Sequence, residues 1–294
     1  MRSTQARIKL STYHIQLTTR NSPRGLKPTA INIEQLRCSS RTLSRLYLLF
    51  ATIMNIQELK EIVCQENLNL VKYGLVTLTW GNVGQLTEAG DAFVIKPSGV
   101  PYETMTPADM VVVDLNGNVV EGSNRPSSDT PTYVELYRFF LQYAQENNAK
   151  LLRGIVHTHS SCAVAWAQAR REIPCFGTTH ADHFYGSVPL TRPLTEDEIN
   201  AGYEVNTGRV IIERFKQGKL NPIEIPAVLA AGHGPFTWGK DGHEAVKNAV
   251  ALEAVAVMAR DTLAINPDAP NLEPWVLQKH YNRKHGPNAY YGQR

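Results

Sequence analysis

The sequence predicts an α/β layered fold in which helices cover a mixed, mostly antiparallel sheet, and three observations carry that prediction. Short alternating apolar runs at residues 76–80, 92–96 and 110–114 read as strands. The turn signal Asn116-Gly117-Asn118 follows the third run, as a hairpin requires. From residue 130 onward, helical and extended patterns interleave, with no internal repeat, heptad or low-complexity block.

The elements follow in order. Ile56, Leu59, Ile62 and Val63 recur at helical spacing and open the body. Thr130-Pro131 starts a second helix, with a side-chain cap and proline at the first position, which continues through Glu135, Leu136, Phe139, Phe140 and Tyr143. Residues 154–159 read as a buried strand and 163–170 as the helix after it. Further strands are expected at 188–190 and 226–231, and helices at 197–215 and 243–263.

Charge divides the chain. Residues 1–53 hold nine Lys or Arg and one acid, Glu34, a net +8; the whole chain is +3, so residues 54–294 carry −5. The head, residues 1–53, is expected to be a disordered basic extension or a start placed upstream of Met54. A basic, Ser-rich targeting segment is the alternative. An acidic body gives no footprint for nucleic acid, so an anionic ligand must be held by local groups. Cys38, Cys64, Cys162 and Cys175 share no CxxC spacing, which fits reduced thiols in a cytoplasmic protein. The longest apolar run, residues 46–51, is far short of a membrane span, so no membrane partner is expected.

His157 and His159 are the sharpest chemical feature. Residues i and i+2 of a strand project from one face, so both imidazoles reach one ion. His233 sits in Gly232-His233-Gly234-Pro235, where flanking glycines allow close backbone approach. Asp129 stands at a helix N-terminus, where it also suits capping. Three imidazoles and a carboxylate would hold a divalent transition ion with positions left for substrate.

Local groups for an anion are also present. Ser127 and Ser128 precede a helix start, where free amides and the helix dipole favour negative charge. Lys96-Pro97-Ser98-Gly99 adds a cation, a hydroxyl and turn amides, and Trp80-Gly81-Asn82 an amide side chain beside a glycine. Each alone is an ordinary turn or cap. The segment Thr179-His180-Ala181-Asp182-His183-Phe184-Tyr185 offers proton-transfer groups, of which His180, His183, Phe184 and Tyr185 are expected to be structural. The aromatic, His-rich tail through Tyr290 and Tyr291 is expected to dock on its own or a neighbouring subunit.

Taken in order, Thr79-Trp80-Gly81-Asn82, Val94-Ile95-Lys96-Pro97-Ser98-Gly99-Val100, Pro126-Ser127-Ser128-Asp129-Thr130-Pro131, the 154–160 strand with its two histidines, and His180-Ala181-Asp182 resemble the class II aldolase/epimerase family. Within it the resemblance is to epimerases acting on L-ribulose 5-phosphate, and it spans residues 56–293. It implies a three-layer α/β sandwich for residues 54–294. It implies a homotetramer with fourfold cyclic symmetry, active sites between subunits, and one zinc-type ion per subunit, with manganese or cobalt as alternatives. Asp129, His157, His159 and His233 would be the metal ligands. Gly81, Asn82, Lys96, Ser98, Gly99, Ser127 and Ser128 would hold the phosphate of a phosphorylated ketopentose. Asp182 and Tyr291, the latter from the next subunit, would exchange protons.

The implied reaction interconverts L-ribulose 5-phosphate and D-xylulose 5-phosphate by cleaving and re-forming the C3–C4 bond. Aldolase relatives place Glu where this chain has Asp129, which favours the epimerase over an aldolase. A non-catalytic adducin-like module would have an eroded ligand set, and this one is full. Two departures stand out, Tyr133 where a histidine is common and a longer stretch at 142–152. Both are expected to affect surface or interface detail.

Overall fold

The computed structural model describes residues 5–10, 13–18 and 40–291, with side chains from residue 56 onward. The chain divides by contacts into two units, Met1–Leu49 and Phe50–Arg294. In the first, strands β1 (Gln5–Leu10) and β2 (Tyr13–Thr18) pair antiparallel from Gln5↔Thr18 to Leu10↔Tyr13. The expectation for the head, residues 1–53, falls in part outside the described residues. Helix α1 (Ser40–Lys72) runs through residues 53 and 54, where the composition changes.

The second unit is built on a sheet of strands β3 (Asn82–Leu86), β4 (Ala92–Ile95), β5 (Val111–Asp114), β6 (Val119–Glu121), β7 (Gly154–His157), β8 (Ala227–Ala230) and β9 (Gly234–Gly239). Their order is β6-β5-β4-β3-β7-β9-β8, and every neighbouring pair is antiparallel. The remaining helices are α2 (Thr130–Asn147), α3 (Ser161–Gln168), α4 (Thr178–Ala181), α5 (Glu196–Gly218), α6 (Gly242–Ile265) and α7 (Pro274–His285).

Strand alternation divides the apolar residues between two faces. Phe93, Ile95, Val111, Val113, Ile155 and Trp238 pack with α2 and α5, through Tyr137, Phe140, Ile211 and Phe215. On the other face, Val94 and Val112 meet Leu59 and Val63 of α1, and Val83 and Val156 meet Ala245, Val246 and Ala249 of α6. Because both faces are apolar, the sheet needs a helical layer on each side, which makes the three-layer α/β sandwich.

Several local expectations shift. Residues 76–80 form turns, not a strand, because Leu78 and Gly81 adopt left-handed backbone with φ of 52° and 89°, and the strand begins at Asn82. Residues 188–190 supply only isolated bridges, Ile173↔Val188 and a parallel Leu190↔Leu229. Tyr133 belongs to the core and not to the surface. It is fully buried, and its hydroxyl, 3.1 Å from the Asn82 carbonyl and 3.3 Å from that of Ile155, donates across the β3–β7 pairing. Its ring also fills the space over Gly84, where a Cβ would lie 2.9 Å from Tyr133 Cε1. No described helix is long and apolar enough to cross a membrane.

Candidate metal and anion site

Strand register assembles the site. In the β3–β7 pairing Asn82 faces His157, and in β7–β9 His157 faces Phe236. The β8–β9 hairpin closes with Ala230 opposite Gly234, and its connection carries His233 after Gly232, whose φ is 72°. Gly234 must lack a side chain, since a Cβ there would lie 2.9 Å from the Thr158 carbonyl. His159 lies just past the end of β7 but still turns back to its neighbour.

The three imidazoles converge, each offering a ligand atom within 4.8 Å of the others. His157 Nδ1 lies 3.0 Å from the Pro235 carbonyl, which fixes that nitrogen as the donor and leaves Nε2 as the one facing the other histidines. That Nε2 is 3.1 Å from His159 Nε2. The buried Nδ1 of His233 has no hydrogen-bond partner among the described residues. A basic nitrogen left without a proton donor, beside two more, is the donor set of a divalent transition ion. Charge agrees with this. Burial first, then the neighbouring imidazoles, pushes the pKa of His233 down to about 3 and lowers that of His159, so both remain neutral and able to ligate.

Asp129 stands at the N-terminus of α2 but makes no capping hydrogen bond. Its Oδ2 instead accepts from Asn82 Nδ2 at 2.6 Å. Asn82 Nδ2 also lies 3.1 Å from Ser127 Oγ. Asp129 opens on the same cavity as the histidines, about 370 Å³ in volume, lined by Gly81, Asn82, Lys96, Ser98, Gly99, Ser127, Ser128, Asp129, His157, His159 and His233. Every residue expected for phosphate or metal is therefore brought to one concavity. The β4 end and the α2 start are tied together there, with the Ser127 amide donating to the Lys96 carbonyl at 3.0 Å and the Ser98 amide to that of Arg125 at 2.9 Å.

Lys96 carries the electrostatic argument. It is 2% exposed, and among the described residues its Nζ reaches only the Pro97 carbonyl, at 3.3 Å, and the Tyr102 ring, at 4.8 Å. Burial lowers its pKa. A buried ammonium without a carboxylate partner is costly, and an anion in the adjoining cavity supplies what it lacks.

Asp182 and Tyr291 do not line this cavity. Asp182 caps the C-terminal end of α4, where its carboxylate accepts from Arg283 and His280 of α7. Tyr291 follows α7, with its ring over Arg283 and 56% of its surface exposed. His180 and His183 both take up hydrogen-bond partners outside the cavity. His180 Nε2 donates to the Gly186 carbonyl at 2.8 Å, and His183 lies 3.2 Å from Lys284 Nζ.

Two cavity residues escape the sequence patterns, Tyr203 and Glu204. They sit where α5 kinks at Gly202, whose φ of 150° breaks the helical path. The Tyr203 ring lies 5.7 Å from that of His233. The signal available is a glycine inside a helical pattern, which periodicity alone passes over as one straight helix.

The family model described as "Class II Aldolase and Adducin N-terminal domain" matches residues 61–259. Among solved structures, an L-fuculose 1-phosphate aldolase aligns with a TM-score of 0.61 at 22% identity, covering 77% of this chain and 95% of its own. YgbL of Klebsiella pneumoniae aligns at 0.57 and 22% identity, covering 76% and 98%. The L-fuculose-1-phosphate aldolase of Thermus thermophilus aligns at 0.54 and 24% identity, covering 73% and 98%. At these identities the likeness is one of fold.

Proposed function

We propose that this chain, which belongs to the class II aldolase and adducin N-terminal domain family, is an L-ribulose-5-phosphate 4-epimerase. The observation that carries the reading is the single cavity in which three imidazoles and Asp129 stand beside a buried, anion-seeking Lys96. His157, His159, His233 and Asp129 would hold a zinc-type ion, which when bound supplies Lewis-acid stabilisation of charge developing on the substrate carbonyl. Lys96, Ser98, Ser127 and Ser128 would grip the phosphate, and the distance between the two ends of the cavity would orient a short phosphorylated ketose.

Inversion at C4 cannot proceed by simple deprotonation, because that C–H is not acidic. Cleavage of C3–C4 and re-addition on the other aldehyde face requires a proton acceptor and a proton donor outside the metal cluster. Asp182 and Tyr291 are assigned those roles. Both lie away from the cavity of their own chain. This supports both of them, and not Tyr291 alone, reaching each site from a neighbouring subunit in a fourfold-symmetric tetramer. The second reading is an aldolase, as two of the structural neighbours are named, which would use the same cleavage without recombination.

The test is turnover of L-ribulose 5-phosphate by zinc-loaded protein, with xylulose 5-phosphate read by a coupled assay, repeated after chelation and with His157→Asn. Turnover lost in both controls supports the epimerase. Accumulation of dihydroxyacetone and glycolaldehyde phosphate would identify the aldolase, and silence would reject both.

A further inference from the structure

Arg283 stands between the two groups assigned to proton transfer. Its Nε and Nη2 donate to the two oxygens of Asp182 at 3.1 and 2.7 Å. The Tyr291 ring lies over the same guanidinium, its centroid 4.7 Å from the guanidinium carbon. The backbone closes the arrangement, because the amides of Tyr290 and Tyr291 donate to the Arg283 carbonyl at 2.9 and 3.1 Å. The Asp182 and Arg283 side chains are 14% and 24% exposed, so the pair is largely shielded from solvent. A two-point guanidinium–carboxylate contact sets direction as well as charge, and lysine cannot reproduce it.

We propose that Arg283 is a positioning residue for both proton-transfer groups, one guanidinium gripping the Asp182 carboxylate while carrying the Tyr291 ring, so that the two are presented as one preset unit. The inference rests on the epimerase reading for its catalytic meaning. In the direction in which the C4 hydroxyl faces Asp182, its proton passes to the carboxylate and the O–H electron pair becomes the aldehyde C=O. The C3–C4 pair moves to the ketone fragment. Re-addition reverses these shifts on the opposite aldehyde face, where Tyr291 gives its proton to the new alkoxide.

An anionic Asp182 at rest is what that first step requires. Burial alone raises the Asp182 pKa, but the hydrogen bonds from Arg283 and then His280 outweigh it and hold the carboxyl below its ordinary range. The other groups facing it point the same way or lie farther off. His285 Nε2 lies 2.9 Å from the Asp182 carbonyl, and Lys284 and His183 flank the pair.

The experiment compares Arg283→Met and Arg283→Lys with the parent, all zinc-loaded and shown by thermal melting to be folded. In protein labelled with ¹³C at aspartate carboxyls, the Asp182 signal is identified by its loss in Asp182→Asn. Its titration is expected to move to higher pH in Arg283→Met. In the coupled assay kcat is expected to fall about 100-fold, the scale of a displaced acid–base group, with KM nearly unchanged. The acid limb of the rate profile should move up in pH, and Arg283→Lys should recover only part of kcat. An Asp182 titration that does not move, or kcat retained with an unmoved profile, would overturn the proposal, as would full activity of Asp182→Asn. Should the parent fail to turn over L-ribulose 5-phosphate, the epimerase reading falls, and the Asp182 titration alone decides whether Arg283 sets that carboxylate.

Discussion

Asn82 Nδ2 donates to Asp129 Oδ2 at 2.6 Å, and through β-sheet register the same Asn82 stands opposite His157. One amide therefore joins the carboxylate at the start of α2 to the imidazole at the end of β7. Its other atom, the buried Oδ1, has no partner among the described residues.

Outer groups that orient ligands commonly control affinity for the ion. Asn82→Ala is expected to weaken zinc binding about 10- to 100-fold without unfolding the protein. Competition with a chromophoric chelator measures this directly. Unchanged affinity would show that Asp129 is held without Asn82.

Lys96 is buried and lacks an ion-pair partner among the described residues. In the proposed reading Lys96 would give a charged hydrogen bond to the phosphate, so Lys96→Met is expected to raise KM about 10- to 100-fold. The desolvated ammonium costs stability, so the melting temperature should hold or rise. A lower melting temperature with unchanged KM would assign Lys96 a structural role.

Burial pushes the pKa of His180 down to about 4, against an ordinary value of 6.5, with the Gly186 hydrogen bond only partly opposing it. The unfolded chain therefore binds this proton first as pH falls. Stability from this group is complete above about 6.5 and is lost as pH drops toward 4, by on the order of 3 kcal/mol. Urea unfolding of the parent and His180→Gln across that window should show the slope in the parent and a shallower one in the variant.

Tyr133 donates across β3 and β7 from a fully buried position on α2. Tyr133→Phe removes the hydroxyl and keeps the ring, and is expected to cost about 1–2 kcal/mol. Turnover should stay within about twofold, since the ring lies outside the cavity. A large loss of turnover in a stable variant would tie this phenol to the reaction.

Much of the site was legible because its residues fall in short segments at the ends of regular elements. His157 and His159 sit at the end of β7, His233 in the β8–β9 connection, and Ser127, Ser128 and Asp129 before α2. Such positions are marked locally by glycine, proline and a change in hydrophobic period, which one strand or helix reveals without its neighbours. The alternation of Val, Ile and Phe likewise announced strands, and their two apolar faces required helical layers on both sides.

Tertiary structure alone decided the rest, since pairing partners distant in sequence leave no local trace. Register set Asn82 against His157, and the left-handed turns at Leu78 and Gly81 displaced the first body strand. The kink at Gly202 turned Tyr203 and Glu204 into the cavity, and packing beneath the sheet made a core residue of Tyr133. The meeting of Arg283 with Asp182, about a hundred residues earlier in the chain, depends on α7 folding back over α4. Sequence periodicity reports which side of an element is apolar, whereas the partner that covers it is chosen by the packing of the whole chain.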